Sequence, residues 1–301
     1  MLPTLVLTAG LGTRLDPLTR LVAKPAVPVA GATLAERVVR WLAREGARDL
    51  VLNLHAHPHT VTGAIGDGAH LGVRVRYSWE PVVLGSAGGP RHALPMLAGS
   101  DSDAILIVNG DTLTDVALTP ALHAFAASGA DVMMLVIPNP ARDRYNGIIA
   151  DDDGLVRGFI PKGHDVPSWH FVGIQFARRR VFAGLPDHTP AETVREIYRD
   201  LVARAPGRVR VFPVDATFHD VGTPADYLAM CAEFGGVDAR GNVVWPGATV
   251  APGALLTQCI VGAGVDVPGG FTAERTALVP ASLVRSGERC VVEHGIARFP
   301  F

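Results

Sequence analysis

Cysteine is scarce in this 301-residue chain: Cys231, Cys259 and Cys290 are three, odd in number and far apart. That excludes a disulfide framework, gives no metal-ligand spacing, and fits a reducing compartment. Charge of one sign is missing as well. Lys and Arg number 27 against 29 Asp and Glu, a net charge of −2, which excludes the broad basic face that grips nucleic acid. No apolar run approaches the ~20 residues of a membrane span. The N-terminal apolar run meets Gly10 too soon to serve as a signal peptide. Two phosphate fingerprints are also absent: there is no G-x-x-x-x-G-K-[ST], and residues 9–14 give G-x-G without a third glycine. These absences leave a cytoplasmic protein with neither membrane nor nucleic acid as partner.

What is present is apolar patterning, with 48% hydrophobic residues, enough for one large domain or a large one with a small one. Residues 4–8 read as a short buried strand that glycine ends. Thr33 and Glu36 form a capping-box pattern, Leu34, Val38, Val39 and Leu42 recur at helical spacing, and Gly46 sits at a C′ position. Strands are expected at 49–54, 73–77, 104–108 and 131–138, with a helix at 121–128. This alternation predicts an α/β fold: a Rossmann-like, mostly parallel mixed sheet with helices on both faces. Ligands in such sheets bind beyond the strands' carboxyl ends, where Gly10 and Asp111 fall. Further on come a hairpin around Asp153-Gly154, a strand from Trp169, a helix over 191–205 and a strand over 209–214. Near Gly235 the composition shifts. Val244, Val250 and Leu256 stand six residues apart among Pro-Gly pairs, the period of a left-handed parallel β-helix, slipping after Leu256. An irregular Gly/Pro-rich tail is the other reading. The chain therefore divides into residues 1–234 and a tail over 235–301.

The stretch "LVLTAGLGTR" (5–14), followed by "LDPLTRLVAKPAVPVAG", reads first as a strand-to-helix turn shaped by glycine. It also reads as a phosphate nest. Gly10, Gly12 and Thr13 expose N–H groups, Arg14 adds a cationic fork, and Lys24 is flanked by Pro25 and Pro28, which stiffen the loop. Asp111, after Asn109-Gly110, is a turn aspartate or a ligand. Asp220 is a ligand or the cap of a helix starting near Thr223-Pro224.

"AGLGTRLDPLT" (9–19), "KPAVPVAG" (24–31), "EPVVLGSAGG" (80–89), "VNGDT" (108–112), "YNG" (145–147) and "FHDVGTPADYL" (218–228) occur in that order. Together they resemble the sugar-1-phosphate nucleotidylyltransferases, or nucleotide-sugar pyrophosphorylases. The similarity is nearest to mannose-1-phosphate guanylyltransferase-like and N-acetylmuramate-1-phosphate uridylyltransferase-like members, and hexapeptide tails occur in this family. The resemblance implies an enzyme that takes a nucleoside triphosphate and a sugar 1-phosphate and releases pyrophosphate. It implies that Arg14 grips the triphosphate and that Lys24 binds near its α-phosphate. It further implies that Asp111 and Asp220 hold Mg²⁺, that Ala9, Gly10, Gly12 and Thr13 meet the nucleotide, and that Lys162 meets the sugar phosphate, where a solvated lysine is the alternative.

Glu80 lies where the family contacts the base. A carboxylate can accept from N1–H and N2–H₂ of guanine together, which favours GTP, with UTP next. Gly85, Ser86, Ala87 and Gly88 would let backbone approach base and ribose, or simply enter a helix. Asn146 and Gly147 match the family's sugar-facing turn. The family's F-x-E-K-P is here Phe159-Ile160-Pro161-Lys162-Gly163, so the sugar-binding glutamate is lost or replaced by a group such as His164, Trp169 or His170. His55, His57 and His59 alternate as metal ligands can, but without a nearby carboxylate or cysteine; Asn53 and His55 could instead line the nucleotide cleft. The altered Pro161 segment motivates a second expectation, a catalytically weak nucleotide-sugar-binding regulatory subunit, against which the intact Arg14, Lys24, Asp111 and Asp220 speak. The tail is expected to cover the end of the catalytic domain or to form a homodimer contact.

Overall fold

A computed structural model describes residues 1–98 and 102–301, and the chain falls into two compact units. The first comprises Met1–Gly10, Glu36–Ala56 and Ile65–Phe218. It is built on one nine-stranded mixed sheet. The strands are β1 (Thr4–Leu7), β2 (Asp49–Leu54), β3 (Arg74–Trp79), β4 (Ala104–Asn109), β5 (Val132–Pro138), β6 (Gly147–Ala150), β7 (Val156–Ile160), β8 (Trp169–Arg178) and β9 (Val209–Pro213). Their spatial order is β7-β6-β8-β4-β1-β2-β3, with β5 also paired to β8 and β9 to β5. The β4-β1-β2-β3 block is parallel, as is β5-β9, while β8 runs antiparallel to both β4 and β5. The parallel block is the part that the strand–helix alternation predicts. The antiparallel strand β8 joins the two parallel blocks and makes the sheet mixed.

The first four helices in chain order are α1 (Leu34–Arg44), α2 (Pro58–Ile65), α3 (Gly85–Ala93) and α4 (Leu118–Ser128). Of these, α3 and α4 lie wholly in this unit and pack on opposite faces of its sheet. Leu5, Val51, Ile105, Ile107, Met134 and Ala177 share one core with Ala87 and Ala93 of α3 and with Tyr198. Side chains alternate across a strand, so Phe176, next to Ala177, points to the other face, where Phe125 of α4 stacks on it at 5.7 Å. Each such fully buried side chain contributes roughly 1.5–3 kcal/mol. The helix expected over 191–205 begins differently: residues 193–197 form one wide π turn before a regular helix over Tyr198–Arg204.

Two glycines allow close approaches around Asn109, at the end of β4. Gly173 (φ 79°) sits in a register shift of β8, and a Cβ there would lie 2.8 Å from Asn109 Nδ2. Gly110, next along the chain from Asn109, donates its N–H to Leu7 O at 2.9 Å, and a Cβ on it would meet Thr8 Cγ2 at 2.5 Å. The turn that carries Asp111 is thus held against the end of β1.

The second unit comprises Leu11–Ala35, His57–Ala64 and His219–Phe301. The unit is not contiguous in sequence: the loop Leu11–Ala35 and residues His57–Ala64 cluster with the C-terminal segment. The helix Pro224–Glu233 (α5) begins at Thr223, whose hydroxyl accepts from Asp226 N at 3.2 Å while Asp226 takes Thr223 N at 2.8 Å. After it comes a β-helix fragment. Val243–Val244, Thr249–Val250 and Leu255–Thr257 pair in parallel with Ile260–Val261, Asp266–Val267 and Thr272–Glu274, one strand pair on each of three faces. The six-residue period is present but on a different phase from the expected one. Val244 and Val250 are 43% and 39% exposed, and only Leu256 of that trio is buried. The interior is filled instead by Ala248, Ala254, Val265 and Phe271. In the first coil Val243, one position before Val244, is the buried valine at 5% exposure, and Trp245 packs edge-on against Tyr227.

The tail grips the loop. Arg20, its side chain 5% exposed, donates to Asp16 Oδ1 at 2.8 Å, to both Glu288 oxygens at 2.6 Å and to Leu283 O at 2.9 Å, with Phe299 5.0 Å from its guanidinium carbon. Tyr227 donates to Pro28 O and accepts from Trp245 Nε1 at 2.9 Å. The hydrogen bond from Arg20 holds the Glu288 carboxyl below the usual carboxylate range. A depressed folded pKa means a stabilisation that is complete above the unfolded value, near 4.3, and lost as pH falls through the lower folded one. Arg20→Met should therefore lower the thermal midpoint by several degrees at pH 7. Glu288→Gln should flatten the acid limb of wild-type stability below roughly pH 4; calorimetry across pH checks both.

Candidate active site

The loop Leu11–Ala35 is wound into three short turns, Thr13–Leu15, Leu18–Arg20 and Lys24–Ala26. Gly12 makes this possible. Its φ is 63°, and a Cβ would stand 2.9 Å from both Lys24 Cβ and Thr19 Cγ2. Ala23 N donates to Thr60 Oγ1 at 3.1 Å and Val27 N to Lys24 O at 3.2 Å, so the Lys24 backbone is pinned on both sides. Lys24 is buried at 6% exposure, with Nζ 3.7 Å from Asp220 Oδ1. Arg14 is largely exposed and reaches Asp220 Oδ2 at 3.9 Å. Both cations pair with Asp220 beyond hydrogen-bond range, as charges rather than as donors. The helix cap at Thr223–Asp226 is complete without Asp220, which removes the capping reading of that carboxylate. Arg14, Lys24 and Asp220 are thus brought together, with Gly12 inside the same loop and Thr13 exposed at the start of its first turn.

In the other unit, Ala9 is buried and Gly10 exposed at the end of β1, with nothing within 4 Å of a Cβ on Gly10. Asp111 is half-buried in the turn after β4. Asn53 organises the neighbouring strand ends. Its Oδ1 accepts from Thr8 N at 2.6 Å, and its Nδ2 donates to Glu80 Oε1 at 2.7 Å. Glu80 Oε2 takes the N–H of Leu84 at 2.9 Å, and Glu80 has no exposed surface. The structure therefore corrects the expectation for Glu80. A carboxylate with both oxygens engaged and no exposure cannot meet a base in this conformation; it positions Asn53 and the Leu84–Gly85 turn. Sequence alone could not show this, because Asn53 lies 27 residues away.

Gly85, Ser86 and Ala87 open α3, and their close neighbour is residues 189–192. A Cβ on Gly85 would lie 2.6 Å from Ala191 O, and one on Gly88 2.5 Å from Thr189 O. Ala87 N donates to Ala191 O at 2.9 Å, and Ser86 Oγ to Glu192 Oε2 at 2.6 Å. On the far side of the sheet order, Asn146 Oδ1 accepts from Lys162 N at 3.0 Å, and Gly147 packs under Ser168, 2.5 Å from where a Cβ would sit. Asn146, Gly147 and Lys162 are thus one local group. Of the three groups considered in place of a glutamate at Pro161, His164 donates from Nδ1 to Pro161 O at 3.2 Å, Trp169 begins β8, and His170 is buried against Tyr145 and Phe218. His55 Nδ1 bonds to Glu80 O at 2.8 Å, its ring stacked on Trp79, while His57 and His59 belong to the other unit.

The Nucleotidyl transferase family model matches residues 3–234. The mannose-1-phosphate guanylyltransferase of Mycobacterium tuberculosis is 28% identical over 96% of this chain and 82% of its own length. The N-acetylmuramate alpha-1-phosphate uridylyltransferase of Neisseria meningitidis serogroup B is 32% identical over 60% of this chain and 77% of its own. The crystal structure of HddC from Yersinia pseudotuberculosis shares the fold, with a TM-score of 0.67 at 21% identity over 78% of this chain and all of that one.

Gly12→Ala tests the loop geometry. The added methyl meets Lys24 and Thr19 and the backbone is strained at positive φ, a cost of about 1–3 kcal/mol. The expected outcome is a lower thermal midpoint together with triphosphate affinity reduced about tenfold or more, read by titration calorimetry.

Proposed function

The chain belongs to the Nucleotidyl transferase family, and on that premise we propose that it transfers a nucleoside monophosphate from a nucleoside triphosphate to a sugar 1-phosphate. The products are a nucleoside-diphosphate sugar and pyrophosphate. The observation that carries this reading is the loop geometry in which a buried lysine and an exposed arginine flank one carboxylate. A phosphate oxygen of the sugar 1-phosphate attacks the α-phosphorus. The bond to the bridging oxygen breaks in line, and pyrophosphate leaves with the electron pair. Arg14, free to move at 66% side-chain exposure, offers its planar fork to the β- and γ-phosphates. Lys24 is a fixed point charge near the α-phosphate and offsets charge that grows on the leaving group. Asp111 and Asp220 provide hard carboxylate oxygens of the kind Mg²⁺ takes. These two carboxylates would hold Mg²⁺, whose chemistry there would be neutralisation of phosphate charge.

Guanine is the favoured base and uracil the next. The support is the likeness to a mannose-1-phosphate guanylyltransferase over nearly the whole chain, tail included, since Glu80 no longer carries that argument. Asn146, Gly147 and Lys162 form the sugar-phosphate side, and Ala9, Gly10, Gly12 and Thr13 the nucleotide loop. Residues 1–234 act as the catalytic segment. The 235–301 tail braces it through Arg20 and, in a homodimer, offers a contact surface. No helix among the described residues is long and apolar enough to cross a membrane; the charged, water-soluble substrates suit a cytoplasmic enzyme.

Pyrophosphate release is the direct assay, with Mg²⁺, the common triphosphates and a panel of sugar 1-phosphates. GTP with a hexose 1-phosphate should release most; silence across the panel would overturn the reading. Asp111→Asn and Asp220→Asn should each lower kcat/KM by about 10²–10³-fold with the fold intact by circular dichroism. Near-normal turnover in either would remove that carboxylate from the site.

A further inference from the structure

A second cluster lies in the sheet-bearing unit and has no part in the reaction above. His92 at the end of α3 meets Asp187 and His188, which sit on the segment leading into residues 189–192. We propose that these three side chains form a binding site for one transition-metal ion of the Zn²⁺ class.

The hydrogen-bond partners of His92 fix its tautomer. Its Nε2 is 3.1 Å from Trp79 O. A carbonyl only accepts, so Nε2 carries the hydrogen. In the neutral ring, Nδ1 is then a lone pair, and it faces Asp187 Oδ1 at 2.9 Å. Two acceptors at that distance repel unless a cation joins them, either a proton or a metal. An imidazole anchored by a backbone carbonyl through one nitrogen, with the other presented beside a carboxylate, is the arrangement of a metal-ligating histidine.

His188 completes the set. It is held at φ 54°, a backbone region that residues other than glycine rarely adopt. That turn places its ring 4.5 Å from the His92 ring and its Nε2 4.0 Å from Asp187 Oδ2. Asp187 is itself oriented, because Oδ1 accepts from His188 N at 2.9 Å. The three ligand atoms all lie within 4.8 Å of one another, and small side-chain rotations would bring them onto a common ion at bonds of about 2.0–2.2 Å. Two imidazoles and one carboxylate favour Zn²⁺, Co²⁺ or Ni²⁺ over Mg²⁺, and the exposed His188 leaves room for water ligands. A bound ion would fasten the segment that packs on Gly85 and Gly88 to the far end of the same helix.

The test is titration of the purified, metal-free full chain with Co²⁺, following its visible d–d bands, and with Zn²⁺ by calorimetry. One ion per chain is expected, with affinity reduced more than about tenfold in His92→Ala, Asp187→Ala and His188→Asn. His188→Asn leaves the Trp79 contact untouched and keeps a residue that tolerates φ 54°, so its loss of binding cannot be blamed on the fold. Asp111→Asn and Asp220→Asn should keep the Co²⁺ signal; these controls separate this site from the Mg²⁺ carboxylates. The proposal is overturned if Co²⁺ fails to bind, leaving a proton as the only cation at His92. It is also overturned if His188→Asn binds normally, or if the signal disappears with Asp111→Asn or Asp220→Asn.

Discussion

Asp220 stands between two cations, the Lys24 ammonium at 3.7 Å and the Arg14 guanidinium at 3.9 Å, and much of its unit serves to keep it there. Lys24 is buried, so its position depends on backbone. Gly12 supplies the space beside it, Thr60 and Val27 hold its flanks, and Pro25 and Pro28 limit what the loop can do. Behind the loop, Arg20 is fixed by Asp16 and Glu288, and Pro28 by Tyr227, whose hydroxyl is in turn held by Trp245. Burial beside Cys231 pushes the Tyr227 phenol above its ordinary range, so it stays a neutral donor. The tail thereby braces the Leu11–Ala35 loop, to which the proposed function assigns the phosphates, rather than standing as an independent appendage.

The sheet-bearing unit is governed by a different constraint, the pairing of Asn53 with Glu80. Asn53 ties the end of β2 to Thr8, just beyond β1, and Glu80 ties the start of the next loop to Leu84. A buried carboxylate persists only when its oxygens are satisfied, and here an amide and a backbone N–H do so. Gly89 must lack a side chain because a Cβ would lie 2.8 Å from Glu80 Oε1. The strand ends at which Ala9, Gly10 and Asp111 sit are therefore preorganised before any ligand arrives.

Local signals in the chain were readable: the buried strands, the Gly46 C′ stop, the Asp153-Gly154 hairpin and the rigid Lys24 loop all follow from period and turn chemistry. The group of Arg14, Lys24 and Asp220 was legible only through motif order, since spacing says nothing about residues some 200 positions apart. What could not be read was set by tertiary partners. Burial of Glu80 needs Asn53, the glycines of α3 need residues 189–192, and Arg20 finds Glu288 across 268 residues. The β-helix period was visible, but its phase was not, because Val and Ala are both apolar and only the stacking of coils decides which faces inward.

Lys24 and Asp220 act as one unit in the proposed reaction. A double-mutant cycle on kcat/KM for pyrophosphate release, comparing Lys24→Met, Asp220→Asn and the combined variant, tests it directly. The account predicts that the double variant loses far less than the two single losses together, with a coupling above about 1 kcal/mol. Losses that add within error would show that the two side chains act independently and would contradict it.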